Sequence, residues 1–223
     1  MGAQRLSVIV PALNEAPGIG AALRARAPLR ARGHEVIVVD GGSEDRTREI
    51  AAPLCDRLVV AQRGRAGQMN AGAQAARGDA LVFLHADTRL PPDADREILN
   101  SLQLHGWGRF DVRIEGRHWL LPVIAAAMSL RSRLTGIATG DQAIFVRREA
   151  FAGFPDIALM EDVAFSTAMK RRGPPACLRS RVLTSGRRWE SRGVLRTVAL
   201  MWRLRLLYFL GARAEALARR YER

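Results

Sequence analysis

The sequence predicts an α/β fold, with a mostly parallel central sheet flanked by helices and a helical appendage at the C-terminus. In the first half of the 223-residue chain, short apolar runs alternate with stretches of helical periodicity. The runs Glu35–Asp40 (EVIVVD) and Ala80–Leu84 (ALVFL) are almost continuously apolar. Such runs are typical of parallel strands that helices cover on both faces, as in repeated βαβ units.

The elements are predicted in a regular order up to residue 84. The predicted strands are Leu6–Val10, Glu35–Asp40, Leu58–Ala61 and Ala80–Leu84. The predicted helices are Ile19–Arg32, Glu44–Ala52 and Ala66–Ala76. Pro28 should break or kink the first helix, because proline lacks the N–H that an interior helical position donates.

The pattern changes after residue 92. It predicts strands at Phe110–Glu115, Gly140–Val146 and Leu178–Leu183, and helices at His118–Arg131 and Glu161–Arg172, followed by one basic tail helix from Gly193 to the end. No linker rich in Gly, Ser or Pro is evident. We therefore expect one domain over residues 1–190 and a helical tail over residues 191–223.

Polar loops follow four of the predicted strands. They are Pro11–Glu15, Asp40–Ser43, Arg63–Gly67 and His85–Thr88. In an open parallel sheet, ligands bind outside the carboxyl ends of the strands. The sequence therefore predicts one ligand site at this edge of the sheet.

Two of these loops carry acids suited to a nucleotide. Asp40 can accept a hydrogen bond from a ribose hydroxyl or a base N–H, while Gly41 lets the ligand approach closely; a turn Asp is the alternative. Asp87 can hold a divalent ion that neutralises a diphosphate. His85 is either a second metal ligand, a hydrogen-bond donor to a phosphate or a packing residue.

Acids later in the chain are candidates for catalysis. Glu161 and Asp162 open a predicted helix, where the helix dipole alone favours acids, but a carboxylate there can also act as a general base. Adjacent helical residues point about 100° apart, so we expect at most one of the two to face the site. Asp141 either contacts a sugar hydroxyl or closes a turn.

The net charge of +13 comes almost entirely from arginine, since Lys170 is the only lysine. This indicates a negatively charged partner (a nucleotide, nucleic acid or an anionic membrane) or a bias towards Arg codons. Four arginines beside predicted site segments are phosphate-binding candidates, with Trp189 as a stacking neighbour: Arg63, Arg65, Arg187 and Arg188. No helix-turn-helix, zinc-finger or aromatic stacking pattern supports nucleic acid as the negatively charged partner.

The compartment is predicted from the cysteines and the N-terminus. Cys55 and Cys177 form neither a disulfide framework nor a zinc pattern, and the N-terminus does not resemble a signal peptide, so a cytoplasmic protein is expected. Val194–Leu210 is apolar but contains Arg203 and Arg205, which are costly in lipid. This segment is therefore predicted to lie on an anionic membrane surface or to pack within the protein, and a homodimer is left open.

Together these segments resemble the family-2 glycosyltransferases, which have the nucleotide-sugar-binding GT-A fold. The resemblance is carried by SVIVPALNE (Ser7–Glu15), VVDGGSEDRT (Val38–Thr47), GRAGQMNAGAQAARGDALVFLHADTRLP (Gly64–Pro91), GDQAIFVRREAF (Gly140–Phe151) and MEDVAFSTAMKRRG (Met160–Gly173). It covers most of residues 5–190. LHADTRLP together with GRAGQMNAGA is similar to a compact bacterial subgroup associated with arsenosugar biosynthesis.

The resemblance implies roles for individual residues. Pro11, Asn14 and Glu15 would border the nucleotide, and Asp40 would bind the base and ribose. Asp162 would be the general base.

For the metal, the resemblance implies Mg²⁺ or Mn²⁺ on Asp87. The usual Asp-x-Asp metal motif is here His85-Ala86-Asp87, so the metal affinity and identity stay open. The segment Arg187–Trp189 matches in part the Trp motif of processive members.

The implied reaction is an inverting, metal-assisted sugar transfer from a UDP- or GDP-sugar to the hydroxyl of a small-molecule or lipid acceptor. A nucleotidyltransferase and a basic nucleic-acid-binding module are the alternatives. The first is disfavoured because no Gly-rich, Lys-containing phosphate loop lies near the first strand.

Overall fold

The computed structural model describes residues 4–222, which form an eight-stranded sheet with helices on both faces. The strands are β1 (Leu6–Ala12), β2 (Glu35–Asp40), β3 (Arg57–Val60), β4 (Ala80–Phe83), β5 (Thr88–Arg89), β6 (Trp107–Glu115), β7 (Ile144–Arg147) and β8 (Ala176–Ser185). Their order in the sheet is β3-β2-β1-β4-β7-β6-β8-β5. Only β5 and β7 of these strands run against the others. The predicted α/β class and mostly parallel sheet are confirmed.

The helices connect the strands across both faces. They are α1 (Ala16–Arg24), α2 (Ala27–Ala31), α3 (Thr47–Ala51), α4 (Arg65–Ala75), α5 (Ala94–Ser101), α6 (Leu121–Thr135), α7 (Glu161–Lys170), α8 (Arg187–Arg192), α9 (Val194–Phe209) and α10 (Ala214–Glu222). The expected interruption near Pro28 is present, since α1 ends at Arg24 and Pro28 lies in the first turn of α2.

Alternate residues of the central strands enter two separate cores. In β1, Val8 and Val10 face a core that α1, α5 and α6 cover, whereas Ile9 faces a core that α4 and α7 cover. Strands β1 and β2 are buried over almost their whole length. Burial on both faces explains why their sequences lack the alternation of polar and apolar residues.

Several predicted elements differ from the structure: the helix predicted from Glu44 begins at Thr47, and α5, α8 and β5 were not predicted. The strand predicted at Gly140–Val146 begins only at Ile144, because Gly140–Gln142 form a 3₁₀ turn that the Thr139 and Gln142 side chains cap. The tail is not one continuous helix. It breaks between α9 and α10, where Gly211 has a φ of 88°, a value that glycine adopts without steric cost.

The tail helices pack against the segment that begins α7. Leu204 of α9 and Leu217 of α10 are buried in a third apolar cluster with Ile137, Met160 and Val163. Burial of this apolar surface fixes α9 and α10 beside the predicted catalytic carboxylates. Between residues 4 and 222, no helix has both the length and the hydropathy needed to cross a bilayer.

Candidate active site

The first part of the site lies where β1 and β2 end. Asp40, the last residue of β2, is fully buried, and its Oδ2 accepts hydrogen bonds from the backbone N–H groups of Gly42 and Ser43, both at 3.0 Å. Its Oδ1 is also buried but has no hydrogen-bond partner among the described residues. A buried acceptor atom without a donor is costly. The carboxylate is therefore ready to accept a hydrogen bond from a ligand.

The loop after β1 is tied to the loop after β2. Asn14 has a φ of 53°, its Oδ1 accepts from the Glu44 N–H at 2.9 Å, and its own N–H donates to Ser43 Oγ at 2.9 Å. The Glu15 N–H donates to Thr47 Oγ1 at 2.8 Å. These bonds hold the two loops together beside Asp40, and that Asn14 and Glu15 border a nucleotide stays a prediction. Pro11 lies half-buried in β1, in the register that pairs Ala12 with Asp40.

A buried glutamine on α4, which the sequence analysis did not identify, holds these strand ends together. Gln68 Nε2 donates to the carbonyls of Ala12 at 2.9 Å and Val39 at 2.8 Å. Gly41 lies against this amide, and a Cβ at Gly41 would approach the Gln68 side chain to 2.9 Å. The glycine is therefore required by close packing.

The loop after β4 carries the predicted metal ligands. Asp87 is exposed there, and Arg26 Nη2 holds the loop backbone by donating to the carbonyls of His85 at 3.1 Å and Thr88 at 3.0 Å. Burial lowers the pKa of Arg26 to about 10, and the negative charge of Asp87 opposes that shift. Arg26 thus supplies positive charge beneath the loop.

His85 is positioned by residues of the 3₁₀ turn. Its Nδ1 lies 3.3 Å from Asp141 Oδ1, while its buried Nε2 has no hydrogen-bond partner in the described part of the chain. In that part of the chain, no three His, Cys, Asp or Glu side chains come together as a metal-binding group. A Mg²⁺ ion on a diphosphate needs only one or two protein ligands, because phosphate oxygens and water complete its coordination. The exposed Asp87 can supply one such ligand, while His85 Nε2 packs against Gly140.

The acids of α7 line a small cavity together with His85. Asp162 Oδ2 accepts from the Gly140 N–H at 2.9 Å and its Oδ1 accepts from the Val163 N–H at 2.7 Å. Glu161 also lines the cavity, so the expectation that at most one of the two acids would face the site is wrong. The cavity lies at the beginning of the helix, where both side chains reach it, and not along one side of the helix.

The environment of Glu161 differs from that of Asp162. Glu161 is 3% exposed, and burial, followed by the nearby charge of Asp162, raises the pKa of its carboxyl. Arg65 Nη1 lies 3.6 Å from Glu161 Oε1. Burial alone would lower the pKa of Arg65, but the negative charges of Glu161, Asp162 and Asp141 outweigh this effect. The pKa of Arg65 is therefore raised above its ordinary value. Arg65 therefore stays cationic at the cavity.

The remaining candidates do not join this group. Arg63 and Arg187 are exposed, and Trp189 of α8 packs against the apolar core. The side chain of Arg188 lies outside the described part of the structure. Helix α8 is held at the end of β6, where Glu190 accepts a hydrogen bond from the His118 N–H at 3.1 Å.

Comparison with known proteins identifies the family. The sequence profile described as "Glycosyl transferase family 2" matches residues 7–154, which is most of the chain. The chain belongs to glycosyl transferase family 2. The matched family is described as glycosyl transferases, which favours that activity over the nucleotidyltransferase and nucleic-acid-binding alternatives.

Sequence relatives support the assignment over part of the chain. A PGL/p-HBAD biosynthesis glycosyltransferase of Mycobacterium tuberculosis is 39% identical over 97 residues, which cover 40% of this chain and 38% of that protein. A dolichyl-phosphate beta-glucosyltransferase of Mus musculus is 32% identical over 122 residues, covering 47% and 38%. An undecaprenyl-phosphate 4-deoxy-4-formamido-L-arabinose transferase of Pseudomonas paraeruginosa is 32% identical over 99 residues, covering 40% and 29%. The matched part is less than half of each of these relatives.

Solved structures of glycosyltransferases share the fold. A mannosyltransferase of Pyrobaculum calidifontis, solved with GDP-Man and Mn²⁺, has a TM-score of 0.63 and 24% identity, covering 81% of this chain and 56% of that one. TarS of S. aureus, solved with UDP-GlcNAc, has a TM-score of 0.64 and 19% identity, covering 81% and 58%. The GT-A fold implied by the resemblance is confirmed.

Proposed function

We propose that this glycosyltransferase transfers a sugar from a UDP- or GDP-sugar to an acceptor hydroxyl, with inversion at the anomeric carbon. The observation that carries the proposal is the cavity in which the Gly140 N–H orients Asp162. Phe83 at the carboxyl end of β4 lines this cavity, which puts it at the same edge of the sheet as Asp40 Oδ1, an atom without a partner among the described residues. The two carboxylates are suited to opposite ends of one donor, the base and ribose at Asp40 and the reacting sugar at Asp162. Pro11, Asn14 and Glu15 would line the nucleotide end.

Asp162 is the proposed general base. It takes the proton of the acceptor hydroxyl as that oxygen forms a bond to the anomeric carbon. The bond between this carbon and the diphosphate oxygen breaks, and the nucleoside diphosphate leaves with the electron pair. Hydrogen bonds from two backbone N–H groups hold the Asp162 carboxylate in one orientation, which favours proton transfer along a defined line.

Other residues of the cavity support the transfer without taking the proton. Arg65 would bind the leaving diphosphate, because guanidinium groups match phosphate oxygens in geometry and charge. Glu161 would hold Arg65 in place through their contact. Asp141 would bind a sugar hydroxyl and orient His85.

A divalent ion is the proposed cofactor. Asp87 and His85 would hold Mg²⁺ or Mn²⁺, the first through an exposed carboxylate and the second through a ring nitrogen that lacks a partner among the described residues. Such an ion neutralises charge on a diphosphate leaving group.

Calorimetric titration of UDP and GDP, with and without Mn²⁺, tests the donor site and the metal together. We expect one of the two nucleotides to bind the wild-type protein only with Mn²⁺, and Asp87→Ala to lose this binding. Asp93→Ala removes an exposed carboxylate six residues further along the chain and should bind as the wild type does. If neither nucleotide binds a folded protein, or if Asp87→Ala binds unchanged, the proposal is wrong.

The acceptor and the subgroup remain to be identified. Two of the relatives have names that specify undecaprenyl-phosphate and dolichyl-phosphate, and the motif similarity points to arsenosugar biosynthesis. We therefore propose a small-molecule or lipid acceptor. Release of the nucleotide that binds, measured with each acceptor class in turn, would distinguish them.

We also propose that α9 rests on an anionic membrane surface. Four large apolar side chains of this helix are exposed, Leu195, Trp202, Leu206 and Phe209, beside the exposed Arg196 and Arg203. Apolar and basic side chains together suit the headgroup region of a bilayer.

Co-sedimentation with anionic vesicles tests the membrane contact. The double variant Trp202→Ser, Phe209→Ser should stay in the supernatant, while Leu104→Ser, at an exposed leucine after α5, should sediment with the vesicles. Point variants are preferable to deletion of the tail, because Leu204 and Leu217 pack beside Asp162. Equal sedimentation of the double variant and the wild type would contradict the proposal.

A further inference from the structure

Two arginines from distant parts of the sequence lie on the outer side of Asp162. Arg131 is in the last two turns of α6, and Arg205 is on α9 next to the fully buried Leu204. Leu204 packs in the same cluster as Val163, the neighbour of Asp162. This packing brings the Arg205 guanidinium within electrostatic range of the Asp162 and Asp141 carboxylates, and Arg131 within range of Asp162 and Arg205.

Neither guanidinium has a partner in the described part of the chain. Among the groups that the structure describes, none lies within hydrogen-bond or 4.0 Å ion-pair distance of the Arg131 or Arg205 guanidinium, and Arg131 Nη2 is buried without an acceptor. Neighbouring arginines behave differently, since Arg109 and Arg133 both contact the Asp111 carboxylate. Exposed arginines also lack such contacts, but among the described arginines that are at least half-buried only Arg131 and Arg205 do.

Electrostatics make the arrangement unfavourable as it stands. Burial, with a smaller contribution from the like charge of Arg205, lowers the pKa of Arg131 to about 10, against the opposing effect of Asp162. Burial also lowers the pKa of Arg205, against the opposing effect of Asp162 and Asp141. Two partly buried like charges are costly, and Asp162 and Asp141 offset that cost only from beyond ion-pair distance. An anion bound between the two guanidinium groups would lower the cost further.

We propose that Arg131 and Arg205 bind a phosphate group carried by the acceptor. This inference rests on the proposed function, in which Asp162 activates that acceptor. Paired guanidinium groups match phosphate in charge and in hydrogen-bond geometry.

The sheet order favours the acceptor over the donor as the source of this phosphate. Helix α6 packs on β6, which is four strand spacings, roughly 20 Å, from β2 and its Asp40. The nucleotide end of the donor therefore lies on the opposite side of Asp162 from the arginine pair. Arg65, on α4, is the cation on the donor side.

Both a lipid and a soluble molecule can supply such a phosphate. Exposed apolar side chains lie on the same two helices, Leu130 and Leu134 on α6 and Leu206 on α9, and these would contact a lipid chain. The chemistry of the phosphate is the same in both cases. The experiment therefore uses one probe of each kind.

The test uses the full chain with inorganic phosphate in calorimetry, and with phosphatidylcholine vesicles that contain or lack phosphatidic acid in sedimentation. Arg131→Gln and Arg205→Gln should each weaken binding of the preferred probe at least tenfold. Arg96→Gln is the matched control, since it removes an equal charge from an exposed position of α5 and should change binding less than twofold. Stronger binding of phosphatidic acid would identify a lipid source, and stronger binding of inorganic phosphate a soluble one.

Nucleotide binding separates this inference from the proposed function. Titration of UDP or GDP with Mn²⁺ should give the same affinity for Arg131→Gln, Arg205→Gln and the wild type. If the nucleotide binds but neither phosphate probe does, or if both Gln variants bind the probes as the wild type does, the inference is overturned while the proposed donor site stands. Thermal unfolding of each variant checks the fold, and Arg205→Lys, which keeps the charge, should retain part of the binding.

Discussion

Asp40→Asn tests the donor site at a single atom. One oxygen of the Asp40 carboxylate, Oδ2, already accepts hydrogen bonds within the protein, from the backbone N–H groups of Gly42 and Ser43. An asparagine would keep those two bonds by placing its carbonyl oxygen in the position of Oδ2. Its NH₂ group would then occupy the position of Oδ1, which is buried and has no partner among the described residues. The substitution thus replaces an acceptor by a donor where the ligand is proposed to donate.

The magnitude follows from the charge of the acceptor. A hydrogen bond to a charged group contributes about 1.5–3 kcal/mol, so its loss should weaken binding by roughly 10- to 100-fold. The fold should tolerate the change, since the two backbone bonds persist and Arg48 Nε lies 3.7 Å from Oδ2 at an exposed position where water can replace the contact.

Calorimetric titration of the bound nucleotide, with Mn²⁺ present, measures this effect. Glu44→Gln is the matched control, because it removes an equal charge from an exposed position of the same loop and should leave the affinity unchanged. An affinity of Asp40→Asn within twofold of the wild type would refute the reasoning. It would mean that Oδ1 does not contact the nucleotide and that Asp40 only shapes the turn.

The remaining predictions concern the cavity and the strand ends. Asp162→Asn should lower turnover by roughly 10²–10⁴-fold with unchanged nucleotide binding, because only the proton acceptor is lost; unchanged turnover would contradict the role of base. Glu161→Gln should raise the melting temperature at pH 7, because burial and Asp162 raise the pKa of Glu161 and so disfavour its ionised form in the folded state. This gain should shrink as the pH falls through the raised pKa of Glu161 and vanish below the ordinary Glu pKa of about 4.3, where both states are protonated; a gain that grows with acidity in melting curves would exclude this explanation. Gln68→Met should destabilise the fold by about 1–3 kcal/mol in urea titrations, since the Ala12 and Val39 carbonyls lose their donor, and a change below 0.5 kcal/mol would show that water replaces it.

The nucleotide end of the site was predictable because its residues are close in sequence to strand ends. A buried parallel strand is recognised in the sequence as an apolar run. The polar residue that follows the run must lie at the edge of the sheet where the carboxyl ends of the strands meet. Asp40 and the loop Pro11–Glu15 were found by this reasoning, whereas the role of Asn14 came from the family resemblance. The parallel pairing of β1 with β2 then brings Asn14 close to the loop after Asp40. There Asn14 forms hydrogen bonds with Ser43 and Glu44.

The residues that sequence reasoning missed act over long distances in the chain. Gln68 contacts Ala12, 56 positions away, and nothing in its local sequence distinguishes it from a solvated helical glutamine. The pairing of Arg131 with Arg205 depends on how α9 packs, and that packing follows the break in the tail at Gly211. Helix α5 was missed as well, although it follows two prolines and has acids in its first turn, both of which favour a helix start.

The excess of arginine has two different explanations in this structure. Several arginines bind backbone carbonyls inside the fold, as Arg26 does in the loop after β4, Arg57 at the Ala75 carbonyl and Arg109 at the Ser129 carbonyl. Their charge holds loops and helix ends in place and gives little information about partners. Net charge is therefore a poor guide to ligand binding in this protein. The informative arginines are the partly buried ones whose side chains bond to nothing in the described chain, and these lie beside Asp162, where an anionic acceptor would enter.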